Sequence, residues 1–343
     1  MEILKSYIRD IMYGKRNVFL SRAVKPFLLI ASYVYGFFAA AHNFFYKVNL
    51  LKSYKSGITT ISVGNITLGG TGKTPFVMML AEKLIVKGKK TAILIRGYGE
   101  DEWGMLEEKL GKRGVRVFVG KDRIKSAGAA EKSGMDVLIL DDGFQHRRLK
   151  RDVDIALLDS TNPFGNRHLF PRGILREPIK NLNRTDVIVL TKADKGKESI
   201  EAIKRNLKNI IPGKPILEAE HRPVQLFEIY KENTFEMTFI KGKIVSALSG
   251  ICDGAYFKYT LEKIGAQVAL EFVFPDHHLY RASELARIFR ECKKKNIDTI
   301  ITTEKDAVKL KKLKPEKSTP QIFALSVKLE LIRGKEEIDA ILA

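Results

Sequence analysis

Two cysteines in 343 residues, Cys252 and Cys292, leave no material for a disulfide framework or a cysteine-rich metal site. Acidic residues are scarce as well, 40 against 60 lysines and arginines, for a net charge of +20. Such a surface requires an acidic partner, which could be nucleic acid, anionic lipid or a phosphorylated substrate. A zinc-type cluster, an RNP-like aromatic strand and an arginine-rich tail are all missing, so nucleic acid is set aside. There is no internal repeat and no low-complexity tract. The length is sufficient for two domains with cores of their own.

Long uncharged runs are rare too, with one exception. Phe27 to Tyr46 carries no formal charge and has about the length of a bilayer-spanning helix. Ahead of it, Ile3, Leu4, Tyr7, Ile8, Ile11 and Met12 recur at helical spacing, with Lys5, Arg9 and Asp10 on the other face. Lys5, Arg9, Lys15, Arg16, Arg22 and Lys25 precede the run, and Lys47, Lys52 and Lys55 follow it. A simple span leaving the rest of the chain in the cytosol would put the more basic flank outside, against the positive-inside tendency. The pattern therefore predicts a helical element lying on or dipping into the inner leaflet, its basic flanks against anionic headgroups. A buried core helix is the competing reading, because Ser32, His42 and Asn43 dilute the apolar run.

The strongest chemical signal is Thr67-Leu68-Gly69-Gly70-Thr71-Gly72-Lys73-Thr74. The β-branched run from Ile58 to Asn65 precedes it as a buried strand, and an apolar helix is expected from Pro75 onward. Strand, glycine turn and helix aim successive backbone N–H groups and a helix N-terminus at one anion. Lys73 is placed to pair with β- and γ-phosphates, and the Thr74 hydroxyl to ligate Mg²⁺. The usual motif opens with glycine where this chain has Thr67. The segment predicts nucleoside triphosphate binding.

Downstream, 91–96, 115–119, 136–140, 153–158 and 186–190 are short apolar runs separated by polar or helical segments, as a doubly wound parallel sheet requires. A helix is expected over 199–211 and a linker over 212–215. Strands at 244–248, 268–274, 299–302 and 323–327 then alternate with helices at 256–264 and 283–294, giving a second, smaller Rossmann-like α/β domain. The expected divisions are a membrane-associated helical element over 1–57, a P-loop NTPase-like domain over 58–213 and an α/β domain over 214–343.

The apolar strand ending at Leu140 runs into Asp141-Asp142-Gly143-Phe144-Gln145-His146. Carboxylates at a strand end beside a P-loop are how such proteins hold Mg²⁺. With two in a row, one can face the metal while its neighbour orients water or Lys73. For His146, a structural hydrogen-bonding role and a catalytic one stand level.

Several motifs occur together in order: ISVGNITLGGTGKTP over 61–75, RGYG over 96–99, VGKDR over 119–123 and LDDGFQHRRLKRD over 140–152. NPFGN over 162–166, LREP over 175–178, FPDHH over 274–278 and TTEKDAVKL over 302–310 complete the set. This set resembles the tetraacyldisaccharide 4′-kinase family of the lipid A pathway. The resemblance implies ATP-dependent phosphorylation of the 4′-hydroxyl of a tetraacylated glucosamine disaccharide 1-phosphate, giving the 1,4′-bisphosphate. It implies ATP and Mg²⁺ as cofactors and the lipid disaccharide and an anionic membrane surface as partners. No nucleic acid and no obligate protein partner is implied, and the location is the cytoplasmic face of the inner membrane. Residue by residue, the resemblance puts the metal-side carboxylates at Asp141, Asp142 and Glu177, and phosphate-side cations at Arg123 and Arg176. It puts a base at Asp101 and its partner histidine at His277. Glu100 and Trp103 differ from the family's residues around that base.

Two other classes share parts of the pattern. A ParA/MinD-like membrane ATPase has a lysine directly before Gly-Gly, where this chain has Leu68. A regulatory GTPase would read guanine with a motif such as Thr191-Lys192-Ala193-Asp194. Turnover without a lipid acceptor would mark either.

Overall fold

A computed structural model describes residues 11–13, 19–97, 100–231, 233–313 and 320–342, with the side chains of 19–22 and 100–102 outside that description. The amphipathic pattern expected over 3–12 therefore falls outside the described residues, except for Ile11 and Met12, which are buried.

The chain forms α1 (Phe19–Lys47), β1 (Tyr54–Lys55), β2 (Thr59–Asn65), α2 (Lys73–Val86), β3 (Thr91–Ile95), α3 (Glu100–Leu110), β4 (Arg116–Val119), α4 (Arg123–Lys132) and β5 (Val137–Asp141). Next come β6 (Leu149–Lys150), β7 (Val153–Asp159), β8 (Val187–Thr191), α5 (Ile200–Ile210), β9 (Ile216–Glu228), β10 (Thr234–Phe235) and β11 (Ile244–Ser249). The remainder is α6 (Gly254–Ile264), β12 (Gln267–Val273), α7 (Ala282–Lys294), β13 (Thr299–Thr303), α8 (Glu304–Leu310), β14 (Gln321–Arg333) and α9 (Lys335–Ile341).

Two compact units result. One gathers the described residues of 1–96, 114–220 and 331–343, and the other those of 97–113 and 221–330. In the first unit the strands run in the order β4-β3-β5-β2-β7-β8-β9. Their pairings are parallel throughout. β3, β5 and β8 are buried along their whole length, which explains their near-continuous apolar sequences. One face is filled by Ala92, Leu94, Leu138 and Leu140 against Ala127 and Ala130 of α4. Another cluster joins Leu158 and Leu190 to Ile200, Ile203 and Leu207 of α5. β2, which leads into the glycine turn, lies between β5 and β7, where the strand order changes direction. The carboxyl end of such a strand is where open α/β sheets bind ligands.

The second unit orders its strands β12-β11-β13-β14-β9, with β10 antiparallel to β9. β11 pairs in parallel with β12 and β13, and β13 with β14. Its core joins Leu285, Ile288 and Cys292 of α7 to Leu248, Ile300 and Ala324 on the strands. The short excursion 97–113, with α3, belongs to this unit, where Lys109 pairs with Glu304 at the start of α8.

α1 has two sides of different character. Phe27 is 74% exposed and Phe37 70% exposed, and Ile30, Tyr33 and Phe38 are open as well. The 23–47 segment is long and apolar enough to cross a membrane, with a mean hydropathy of 1.5. Three of its polar residues face inward: Ser32 is buried and Tyr35 and Asn43 make hydrogen bonds within the first unit, whereas His42 is exposed.

Candidate active site

The turn after β2 is built for close backbone approach. Gly69 and Gly72 have φ of 116° and 79°, conformations that glycine alone adopts without strain. Gly72 caps α2 without any side-chain hydrogen bond, and no acidic residue sits in that helix's first turn. The amides of an uncapped helix start are the donors an anion needs. α2 begins at Lys73 rather than at Pro75, so Lys73 and Thr74 are themselves in its first turn. Thr67 is buried and bridges to Leu175. Leu68 N donates to Ile174 O at 2.7 Å, and Arg176 N to Ile66 O at 2.8 Å. These two bonds zip the segment before the glycines to the segment carrying Arg176 and Glu177.

The paired aspartates follow β5 at the same sheet edge. A Cβ on Gly64 of β2 would come within 2.4 Å of Phe144 N, so the aspartate loop can lie against β2 only because that residue is glycine. Asp142 has φ 51°, an uncommon left-handed conformation for a non-glycine residue. It turns its carboxylate to Lys73 Nζ at 3.5 Å and Arg176 Nη1 at 3.0 Å. Burial works against ionisation of Asp142, yet Lys73 and Arg176 outweigh it and hold the carboxyl below its ordinary value. Gln145 supports the arrangement, accepting from Arg176 at 3.2 Å and donating to Asn65 O at 2.9 Å.

Asp141 is buried, and its Oδ1 accepts from Asp142 N at 3.0 Å. Arg123, at the start of α4, is buried and donates to Leu94 O at 2.6 Å and Asp141 O at 3.0 Å. It clamps the ends of β3 and β5 from below. Glu177 is buried, and both its oxygens accept from Arg184 at 2.8 Å. Asn181 and Asn43 add bonds of 2.7 and 2.9 Å to Oε2. A metal would reach Glu177 only if one of these donors gave way.

His146 closes the aspartate loop, its N donating to Gly143 O at 2.9 Å. Burial first, and then the charges of Arg123, Arg151, Arg148 and Arg96, push its pKa down to about 4, so it is neutral at pH 7. Thr191 hydrogen-bonds Thr71 O at 3.0 Å, and the Lys192 ammonium pairs with Asp159. Thr191 thus braces the glycine turn from the 191–194 motif.

In the second unit the two histidines after β12 have different surroundings. His278 stacks on Phe274 at 4.5 Å and contacts Glu284 at 3.0 Å, a packed position. His277 has φ 61° and a partly exposed ring. Its Nε2 lies 3.7 Å from Asp276 and 3.5 Å from Lys305 Nζ. Lys305 also pairs with Asp276 at 3.3 Å, and Cys252 donates to Asp276 at 2.9 Å. Burial raises the Asp276 carboxyl, but Lys305, Cys252 and His277 together bring it below its ordinary value. Asp101 falls in the first turn of α3, and its side chain is outside the described residues. Asp276 and Lys305 both lie within motifs singled out in the sequence, FPDHH and TTEKDAVKL, but neither was given a role there. Among the described residues no cluster of three or more His, Cys, Asp or Glu could hold a metal by itself.

A parallel sheet whose glycine turn carries Lys73 and Thr74, opposed by an ionised aspartate and an arginine, defines a P-loop kinase. The sequence profile of the tetraacyldisaccharide-1-P 4′-kinase family matches residues 24–343. The chain belongs to that family. A tetraacyldisaccharide 4′-kinase of Anaeromyxobacter dehalogenans (strain 2CP-C) is 37% identical over 340 residues, covering 92% of this chain and 89% of that protein. One of Syntrophus aciditrophicus is 37% identical over 317 residues, covering 83% of this chain and 85% of that one. The crystal structure of LpxK from Aquifex aeolicus in complex with ATP is similar with a TM-score of 0.68 and 30% identity, covering 93% and 98% of the two chains.

Proposed function

We propose that this kinase transfers the γ-phosphoryl group of ATP to the 4′-hydroxyl of a tetraacylated glucosamine disaccharide 1-phosphate, working at the cytoplasmic face of the inner membrane. The observation that carries the reading is the shared carboxylate: Asp142 meets both Lys73 and Arg176 beside an uncapped, glycine-cradled helix start. Backbone N–H groups of 67–74 bind the phosphates. Lys73 pairs with the β- and γ-phosphates, and Arg176 adds charge where it develops during transfer. Arg123 contributes a buried positive charge under the aspartates, and Asp141 fixes the Asp142 backbone.

Asp142 and Thr74 would hold Mg²⁺: one ionised carboxylate and one hydroxyl are the hard oxygen donors that this ion takes beside phosphate. Glu177 is spoken for by Arg184, Asn181 and Asn43 and would join only by exchange. Held there, Mg²⁺ would supply positive charge that offsets the phosphate charge during transfer. Asp101 takes the proton of the attacking hydroxyl, and His277, oriented by Asp276 and Lys305, assists it. The acceptor itself carries phosphate, which suits a chain of net charge +20.

Membrane attachment through α1 is supported by its open apolar side, together with the inward bonds of Ser32, Tyr35 and Asn43. A helix tied along one unit over that length lies in the interface rather than threading the bilayer. The test is an acceptor lacking only the 4′-hydroxyl. The parent lipid should receive labelled phosphate and the 4′-deoxy analogue none; equal labelling of both would overturn the assignment.

A further inference from the structure

The polar residues of α1 reach the same short segment that presents Arg176 to Asp142. Ser32 Oγ accepts from Arg172 N at 2.9 Å and lies 2.8 Å from Leu169 O. Tyr35 donates its hydroxyl to Arg176 O at 2.9 Å, and its ring meets Phe170 edge-on at 5.7 Å. Eight residues further along, Asn43 donates to Glu177 Oε2 at 2.9 Å, and its own carbonyl accepts from Arg147 at 3.1 Å. Residues 32, 35 and 43 lie on one side of a helix by its 3.6-residue period, opposite the exposed phenylalanines. Polar groups in an otherwise apolar helix persist where their bonds are made in a buried setting.

We infer that Tyr35 and Asn43 are positioning residues for phosphoryl transfer: Tyr35 fixes the Arg176 carbonyl and Asn43 the carboxylate of the adjoining Glu177, and together they hold the Arg176 guanidinium on Asp142. This rests on the role given to Arg176 above. The apolar helix then supports the segment that carries Arg176 as well as attaching to lipid, and a shift of α1 against that segment changes the chemical step. Two tethers, one to the Arg176 carbonyl and one to the neighbouring carboxylate, leave the arginine little freedom to swing away. Losing one tether spares ATP binding, since the backbone cradle of 67–74 holds the phosphates. It costs rate, because charge stabilisation falls steeply with misplacement.

The test uses full-length protein with Tyr35→Phe, Asn43→Ala, Arg176→Lys and Arg176→Ala, and with each α1 variant combined with Arg176→Lys. Measured quantities are kcat, the KM for ATP, vesicle partitioning and the thermal midpoint. Each single α1 variant should lower kcat about five- to tenfold, the effect of one hydrogen bond, with the KM for ATP within about twofold. Vesicle partitioning should match the parent, because the exposed side of α1 is untouched. Combined with Arg176→Lys, either α1 variant should cost clearly less than the product of the single effects. Parent-like kcat in both α1 variants, with Arg176→Lys strongly impaired, would overturn this inference and leave the role of Arg176 standing. Fully multiplicative effects would also overturn it, indicating a general structural role. An unimpaired Arg176→Lys together with an unimpaired Arg176→Ala would instead remove Arg176 from the chemistry, and the inference with it.

Discussion

Arg176 and Asp142 are locked face to face, with Nη1 of the arginine 3.0 Å from each carboxylate oxygen. Lys73 reaches the same carboxylate from α2 at 3.5 Å. One anion therefore organises two cations around the place where phosphate is expected. Asp142→Ala removes it and leaves the cations to repel each other. Turnover should fall by about three orders of magnitude or more, since the metal clamp is lost as well. Steady-state transfer by folded, purified variant is the measurement, and near-parent turnover would take Asp142 out of the metal role.

Asp101→Asn keeps the shape of the side chain and removes the proton acceptor. The chemical step should slow by about two to four orders of magnitude with little change in ATP affinity. His277→Ala should slow it too, and the double variant should cost less than the product of the two if they act as a unit. Single-turnover transfer, with ATP binding followed separately, distinguishes these cases. A near-parent rate for Asp101→Asn would move the base elsewhere, with Asp141 the next candidate.

The exposed side of α1 is open to a separate test. Phe37→Ser with Phe38→Ser removes two open aromatic rings without touching Ser32, Tyr35 or Asn43. Burial of one such ring is worth about 1.5–3 kcal/mol, so partitioning onto vesicles should weaken at least tenfold. Folding and transfer to a detergent-dispersed acceptor should persist. Unchanged partitioning would show that this side does not meet lipid.

The depressed pKa of His146 gives stability a pH signature. The unfolded chain takes up a proton near the ordinary value of 6.5, whereas the folded chain waits until about 4. Across that window the unfolded state binds more protons, so stability falls as pH drops from 6.5 towards 4. His168 is also lowered, by burial and Arg172, and adds a smaller contribution of the same sign. His146→Gln should flatten this acid limb, as read from denaturant midpoints between pH 7.5 and 4.5. Identical pH profiles for parent and variant would contradict the burial of a neutral His146 beside four arginines.

Much of the first unit was legible because its strands are buried on both faces and read as continuous apolar runs, as in 91–95 and 187–191. The glycine turn was legible because its chemistry is local. β9 is hidden in the sequence: ILEAEHRPVQLFE alternates irregularly, because burial changes along the length of the strand. α3, with its Glu100-Asp101-Glu102 start, has too weak an apolar stripe to announce a helix. The membership of 97–113 in the second unit is a long-range packing fact that no local period carries. Ser32 and Asn43 were visible as blemishes in an apolar run; their bonding partners, Leu169 and Glu177, lie more than 130 residues away. The two histidines of 277–278 were separable only by their surroundings, since stacking on Phe274 marks His278 as packed.

Transfer of phosphate to a lipid disaccharide by Lys73 and its neighbours is the central claim. The direct measurement is γ-labelled ATP and Mg²⁺ with purified protein and, in parallel, disaccharide 1-phosphate lipid, a protein acceptor, or water alone. Label should appear in the 1,4′-bisphosphate lipid, with little release to water without the lipid and loss of transfer in Lys73→Ala. Brisk release of labelled phosphate to water, unaffected by the lipid, would contradict the claim and return the chain to the class of nucleotide switches.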